Sequence, residues 1–207
     1  MNCIEKLTEI FRRFPGIGPR QARRFVHYLL TEGESARENL ILTVAELKSS
    51  ALQCSSCFRF FTKTGRDSRT CALCLDSTRA GSSLMVVAKD VDLESVEKSR
   101  TYDGHYFVLG NTISFTDKEP EKNVRMAELT ARINKEVKQG KLKEIILAMS
   151  LNPEGEHTAE IIRKAISPLL QDANVKISTL GRGLSTGTEL EYSDAETIKN
   201  ALQNRKS

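Results

Sequence analysis

Apolar residues recur at helical spacing through the first part of the chain. Ile4, Leu7, Phe11 and Phe14 lie three or four apart, Pro15-Gly16-Ile17-Gly18-Pro19 interrupts them, and Ala22, Phe25, Val26, Leu29 and Leu30 resume the period. The pattern predicts a helix, a tight turn and a second helix. A third helix is expected over 37–52, built on Leu40, Leu42, Val44, Ala45, Leu47 and Leu52. A cysteine-bearing loop rich in Arg, Ser and Thr covers 54–74, and 77–83 reads as a turn. Beyond it, short apolar runs at 84–88, 106–109, 145–149 and 175–177 predict strands, with helical periods between them over 91–99, 124–137 and 158–170. Strands alternating with helices imply βαβ crossovers and a mainly parallel sheet. The alternation Glu189-Leu190-Glu191-Tyr192 suggests a short edge strand, and a last helix is expected over 195–202.

Composition narrows the class. The 207 residues are 39% hydrophobic and 28% charged, ordinary for a globular protein with a real core. No run of 18 apolar residues occurs, and Glu5, Lys6 and Glu9 break the apolar pattern at the N-terminus. Neither a signal peptide nor a membrane span is expected, and the chain reads as cytoplasmic. The formal charge is +4, and residues 1–30 account for all of it: Lys6, Arg12, Arg13, Arg20, Arg23 and Arg24 stand against Glu5 and Glu9. One basic terminal segment on an otherwise balanced chain points to a single polyanion-binding surface, the alternative being a solvated helix face.

The turn sharpens that choice. Gly16 and Gly18 allow backbone angles closed to other residues and leave the amides uncovered, and Pro19 suits the first position of a helix. Amides at the positive end of a helix dipole form a site for a phosphate. At about 100° per residue, Arg20, Arg23, Arg24 and His27 share one face of the second helix, opposite Ala22, Phe25, Val26, Leu29 and Leu30. A phosphate-binding turn beside an arginine stripe fits backbone contacts to DNA that fix position without reading sequence. The motif resembles a helix-hairpin-helix element, a sequence-independent DNA-binding unit; a plain interhelical turn is the alternative.

Cys54-x-x-Cys57 and Cys71-x-x-Cys74 form two knuckles separated by thirteen residues. A two-residue gap lets both thiolates of a knuckle reach one ion, and two knuckles complete a tetrahedral shell with no open position, as in structural Zn²⁺ sites. Metal binding would then supply folding free energy to a loop with little else to order it. Two disulfides or a redox C-x-x-C pair are the competing readings, disfavoured in a cytoplasmic chain. Arg59, Lys63, Arg66 and Arg69 in the loop suit phosphate contact or plain solvation. Cys3, far from the cluster, is expected to be a small buried residue.

The order of these motifs, followed by an α/β segment ending in Gly181-Arg182-Gly183-Leu184-Ser185-Thr186-Gly187-Thr188-Glu189-Leu190-Glu191-Tyr192, resembles the RecR family of bacterial recombination-repair proteins over essentially the whole chain. The resemblance implies a multidomain α/β protein: a helical helix-hairpin-helix domain over 1–52, a four-cysteine zinc finger over 53–78, a Toprim-type α/β domain with a mainly parallel sheet over 79–180, and a C-terminal oligomerisation segment, a strand and helix tail, over 181–207. It further implies homodimers or ring-shaped homotetramers that bind DNA and act with RecO, in some species also RecF, to load RecA onto strands coated by single-strand-binding protein.

Catalytic Toprim domains hold magnesium with a Glu after the first strand and a D-x-D after a later one, because hard carboxylate oxygens fix the ion beside a phosphodiester. Here the first position is Ala88, followed by Lys89, and the D-x-D positions are Ser150 and Asn152, where the resemblance leads one to expect acids at or near Ala88 and Lys89. Only Glu154, Gly155 and Glu156 remain, with Gly155 expected to permit a sharp turn, the glutamates to precede a helix body opening at Thr158, and His157 to be an exposed turn residue. The loss of charge argues for a protein without catalysis, the alternative being a metal-dependent Toprim nuclease or primase-like enzyme. The glycine-rich 180–188 lacks the Gly-Lys-Ser/Thr ending of a P-loop, so nucleotide binding is not expected.

Overall fold

The computed structural model describes residues 1–62, 69–116, 119, 123–184, 187 and 189–204, which fall into two compact units, Met1–Leu52 and Gln53–Ser207. Lys63 and Arg66 of the cysteine loop, and Ser185, Thr186 and Thr188 of the glycine-rich stretch, lie outside the described residues.

The first unit contains α1 (Cys3–Arg12), α2 (Pro19–Thr31) and α3 (Glu34–Ser50). Asn2 opens α1 through a capping box: the Glu5 N–H donates to Asn2 Oδ1 at 2.9 Å and the Asn2 N–H to Glu5 Oε2 at 3.0 Å, which satisfies two otherwise orphaned donors. Phe11 meets Phe14 and Phe25 edge-on, each pair with centroids 5.7 Å apart, and Ala22 and Val26 are buried. The Arg37 guanidinium donates to the carbonyls of Leu29 and Glu32, closing the carboxyl end of α2. Along α3 no residue is buried, and Ile41 and Leu42 are 67% and 63% exposed. Cys3 is exposed, contrary to expectation, because it occupies the first turn of α1 away from the aromatic cluster.

β1 (Ala51–Gln53), which spans the boundary of the two units, and β2 (Phe60–Thr62) form a two-stranded sheet, and α4 (Ala72–Leu75) follows in the second unit. The remaining strands are β3 (Ala80–Val87), β4 (Gly104–Val108), β5 (Glu144–Ala148) and β6 (Lys176–Thr179), in the order β4-β3-β5-β6 with every pairing parallel. Their connections carry α5 (Asp90–Ser99), α6 (Met126–Lys138) and α7 (Pro153–Ile166), and α7 runs into a 3-10 turn at Ser167–Leu170. Along β3 the side chains alternate between two cores. Leu84 and Val86 pack with Leu129 and Ile133 of α6 and Ile162 and Ile166 of α7, whereas Met85 and Val87 pack with Leu93 of α5 and Tyr106. A strand covered on both faces reads as a continuous apolar run, which is why its type was legible.

Several expected boundaries move. The third helix, expected over 37–52, covers Glu34–Ser50, and Leu52 lies in β1. The stretch 77–83 does not stay a turn, since β3 begins at Ala80: the Ala80 N–H donates to the Asp103 carbonyl at 2.9 Å, and the polar Ser82 and Ser83 occupy the strand's less buried start. Residues 189–192 form a 3-10 turn, Leu190–Tyr192, instead of an edge strand; Leu190 and Tyr192 are both exposed, so their alternation reflects no buried face. The helix expected from 158 starts at Pro153, because Asn152 supplies its cap. A final helix, α8 (Ala195–Gln203), is capped by Asp194, whose carboxylate accepts from the Thr197 N–H at 2.9 Å.

Thr158 fixes the loop after β4 against α7. Its fully buried hydroxyl donates to the Glu154 carbonyl at 2.6 Å and accepts from the Ile113 N–H at 2.8 Å. Thr158→Val keeps the shape but strands that buried amide, so unfolding in urea should show a loss of about 1–3 kcal/mol, with faster hydrogen exchange at Ile113.

Candidate functional site

The four cysteines of the knuckles converge. Their sulfurs all lie within 4.8 Å of one another, and Cys57 Sγ and Cys71 Sγ are 3.6 Å apart. A tetrahedral thiolate shell with bonds of about 2.3 Å has edges of about 3.8 Å, so the set fits a single ion. Each knuckle is shaped by its own backbone: the Phe58 N–H donates to the Cys54 carbonyl at 2.9 Å, and the Cys74 N–H to that of Cys71 at 3.1 Å. The amides of Ser56 and Cys71 both point at Cys54 Sγ, each at 3.4 Å. Hydrogen bonds from Cys57, Cys71 and Cys74 hold the Cys54 thiol far below the ordinary range, and the bond to Cys54 pushes Cys57 far above it. Such crowding of four thiols is relieved when a cation replaces their protons. Cys54, Cys57 and Cys71 are buried, so the centre is closed, and a bound ion would brace structure and not meet substrate.

The glycine turn has the geometry its sequence requires. Gly16 takes φ 76°, in the left-handed region, and the Ile17 N–H closes the turn on the Phe14 carbonyl at 3.1 Å. Gly18 is the N-cap of α2 and Pro19 its first residue, so no side chain caps the amides of the first turn. Pro19, Arg20, Arg23, Arg24 and His27 line one open concavity of about 440 Å³. On the other side of α2, Ala22 and Val26 are buried and Phe25 and Leu29 half-buried, while Leu30 remains 56% exposed.

At the carboxyl ends of the strands, pairing of Val87 with Ala148 places Ala88 and Ser150 after neighbouring strand ends. Ala88 is 2% exposed within the apolar cluster that includes Leu109, and its carbonyl accepts from the Gly110 N–H at 2.9 Å. A carboxylate there would be buried among apolar side chains. Asn152 is the N-cap of α7, its Oδ1 accepting from the Gly155 N–H at 2.8 Å. Gly155 is therefore helical, not the apex of a turn. It is glycine because a β-carbon there would collide with the Ser150 carbonyl oxygen. Glu154 and Glu156 lie in the helix's first turn, where negative charge is favoured.

The sequence reading missed two partners of this loop. Arg182 Nη2 pairs with Glu156 Oε1 at 2.8 Å, and a cleft of about 230 Å³ is lined there by Asn152, Glu156, Arg182, Asp194 and Asn200. His157 is half-buried in α7 and stacks on Phe115 with centroids 4.4 Å apart, so it is not an exposed turn residue. Asn152-Pro153 was a readable cap signal, since Asn before Pro at the first helical position starts helices. Nothing local announces Arg182, which is 26 positions from Glu156. Among the described residues, no helix is long and apolar enough to cross a membrane.

Three family models match parts of this chain. Residues 4–47 match the family described as RecR, helix-hairpin-helix; residues 82–181 match the Toprim domain; residues 183–206 match RecR, C-terminal. Recombination protein RecR of Dehalococcoides mccartyi is 34% identical over 205 residues, spanning 99% of this chain and 94% of that protein. The protein of the same name from Moorella thermoacetica is 37% identical over 202 residues, 98% of this chain and 95% of its own length. That of Chlorobium phaeobacteroides is 34% identical over 203 residues, with 98% and 96% covered.

Asn152 and Gly155 can be tested as structural residues. Asn152→Ala should cost about 0.5–2 kcal/mol of stability through loss of the cap, whereas Asn152→Asp, which retains the accepting oxygen, should leave the melting temperature unchanged or higher. Gly155→Ala should destabilise by about 1–3 kcal/mol through the collision with Ser150.

Proposed function

Because this chain belongs to the RecR family, we propose that it is a non-catalytic DNA-binding protein of recombinational repair, acting with RecO, and in some species also RecF, to promote RecA loading on DNA coated by single-strand-binding protein. Relatives along nearly its whole length are named recombination proteins, which supports the role in recombination. The observation that carries the DNA reading is the open basic concavity of Pro19, Arg20, Arg23, Arg24 and His27 beside the uncapped turn at Gly16 and Gly18. Guanidinium groups pair with phosphate oxygens, the free amides bind another phosphate, and neither selects a base. Binding of this kind tolerates any sequence, as a factor acting wherever DNA is damaged requires.

In this reading the four cysteines hold one Zn²⁺ that braces the fold, consistent with a closed all-thiolate set. The exposed Leu40, Ile41, Leu42, Val44 and Leu47 of α3 support assembly into homodimers or homotetramers, since exposed aliphatic surface of this kind is ordinarily covered by a partner. The donors support the absence of catalysis. Magnesium is held by hard oxygens, usually carboxylates, whereas Ala88 offers none, Asn152 spends its oxygen on the helix cap, and Glu156 is paired with Arg182.

Replacing Arg20 and Arg23 together by Ala should weaken binding to all DNA sequences alike. The slope of log affinity against log salt should flatten by about 0.9 for each duplex phosphate that is no longer neutralised, as measured by anisotropy titration; an unchanged slope places the DNA surface elsewhere. Elemental analysis of protein purified without chelators should find one zinc per chain. The enzymatic alternative is tested with labelled DNA, magnesium or manganese, and nucleotides: no turnover is expected, and sustained turnover abolished by Glu154→Ala would sink the non-catalytic reading.

A further inference from the structure

Side chains outside the cysteine set hold the first knuckle in place. Arg132 on α6 donates through Nη1 to the carbonyl of Ser56 at 2.9 Å and to that of Tyr106 in β4 at 2.8 Å. Its Nε is fixed by Glu136 Oε1 at 2.9 Å, and the side chain is only 12% exposed. One guanidinium thus joins the peptide between two metal-ligating cysteines to the edge strand of the sheet, across 76 positions of sequence. Ser56 is also the residue whose N–H points at Cys54 Sγ. Its orientation is therefore shared between a sulfur on one side and Arg132 on the other.

The adjoining residue is held as firmly. Phe58 has φ 62°, a left-handed conformation that a bulky residue keeps only when its surroundings impose it. Its ring packs on Phe107 with centroids 5.3 Å apart and lies 5.7 Å under the Arg125 guanidinium. Between Ser56 and Phe58, the Cys57 carbonyl accepts from the Val108 N–H at 2.8 Å. Three successive residues, Ser56, Cys57 and Phe58, are each anchored to β4 or to a helix beyond it.

We propose that Arg132 is a positioning residue of the metal centre, which presets the Cys54–Cys57 knuckle for the ion and offsets the charge of a four-thiolate site. Four thiolates around a dication carry a net charge of −2, and the guanidinium bonded to the peptide between two of the ligands carries the opposite sign. Outer partners of this kind orient ligands, and their loss typically weakens metal binding by roughly 10–100-fold. Coupling is reciprocal: whatever Arg132 adds to zinc affinity, zinc adds to the stability of the α6–β4 layer that holds Arg132.

The inference rests on the zinc reading above, and the experiment separates the two. Zinc affinity is measured by competition with a chromophoric chelator in the full chain, wild type and Arg132→Met, alongside the cobalt-substituted proteins. Arg132→Met should bind zinc roughly 10–100-fold more weakly, and its sulfur-to-cobalt charge-transfer absorption should shift. Arg132→Lys, which keeps the charge without the planar fork, should fall between the two. Glu136→Ala, which frees only Nε, should lose affinity by a smaller factor, and it carries the test if Arg132→Met does not fold. Wild-type zinc affinity with an unshifted cobalt spectrum in a folded Arg132→Met, or wild-type affinity in Glu136→Ala where only that variant folds, overturns the proposal and leaves the zinc centre standing. A wild-type chain that binds no zinc removes both.

Discussion

The hydrogen bond from the Val108 N–H to the Cys57 carbonyl, 2.8 Å long, answers a constraint every open sheet faces. A four-stranded sheet has two edges, and an edge strand presents unpaired amides that must find partners or be shielded. Here β4 is one edge, and the first cysteine knuckle lies along it. Tyr106 and Val108 on β4 bond through their backbone to Arg132 and Cys57, and the Phe107 side chain meets the Phe58 ring. The knuckle is thus the cover of the sheet edge as well as a metal loop. The same edge is stiffened on its other face, where the Tyr106 hydroxyl and Arg79 both bond Glu97 at 2.6 Å; burial, reinforced by that carboxylate, pushes the Tyr106 hydroxyl up from its usual range.

At the carboxyl end of β5, the demands of folding account for a run of residues. Asn152 accepts from an α7 amide as an aspartate would, so the helix starts correctly without the charge. Gly155 then follows from the approach of the Ser150 carbonyl, and Thr158 from the need to satisfy Ile113. All three are explained by folding alone. Glu156 has Arg182 beside it: a cation attached to the chain stands next to the carboxylate.

How much of this was legible depended on the range of the interaction. Helical period and apolar runs identified α1, α2, α5, α6 and the four parallel strands, because burial of a face leaves a mark on every second, third or fourth residue. The cysteine pairs were legible because ligand geometry constrains spacing directly. Element starts were less so: Ala80 to Ser83 and Pro153 to His157 enter their elements through polar residues that take caps or lie less deeply buried, and carry no period. Cys3 and the 189–192 alternation misled because an apolar or alternating residue does not by itself guarantee a neighbour. Arg132 and Arg182 were invisible: each meets a partner tens of positions away, through a fold that must exist first.

The bare length of α3 has a thermodynamic corollary. A helix with none of its seventeen residues buried withdraws little apolar surface from water, and the 52-residue unit that contains it buries few hydrophobic side chains beyond Ala22 and Val26. Heat capacity of unfolding scales with apolar area exposed, and so does the steepness of denaturant response. The first unit by itself is therefore expected to have a shallow stability curve and a broad transition, and the doubly covered sheet a sharper one. To a calorimeter, the two units of this chain would be different kinds of object.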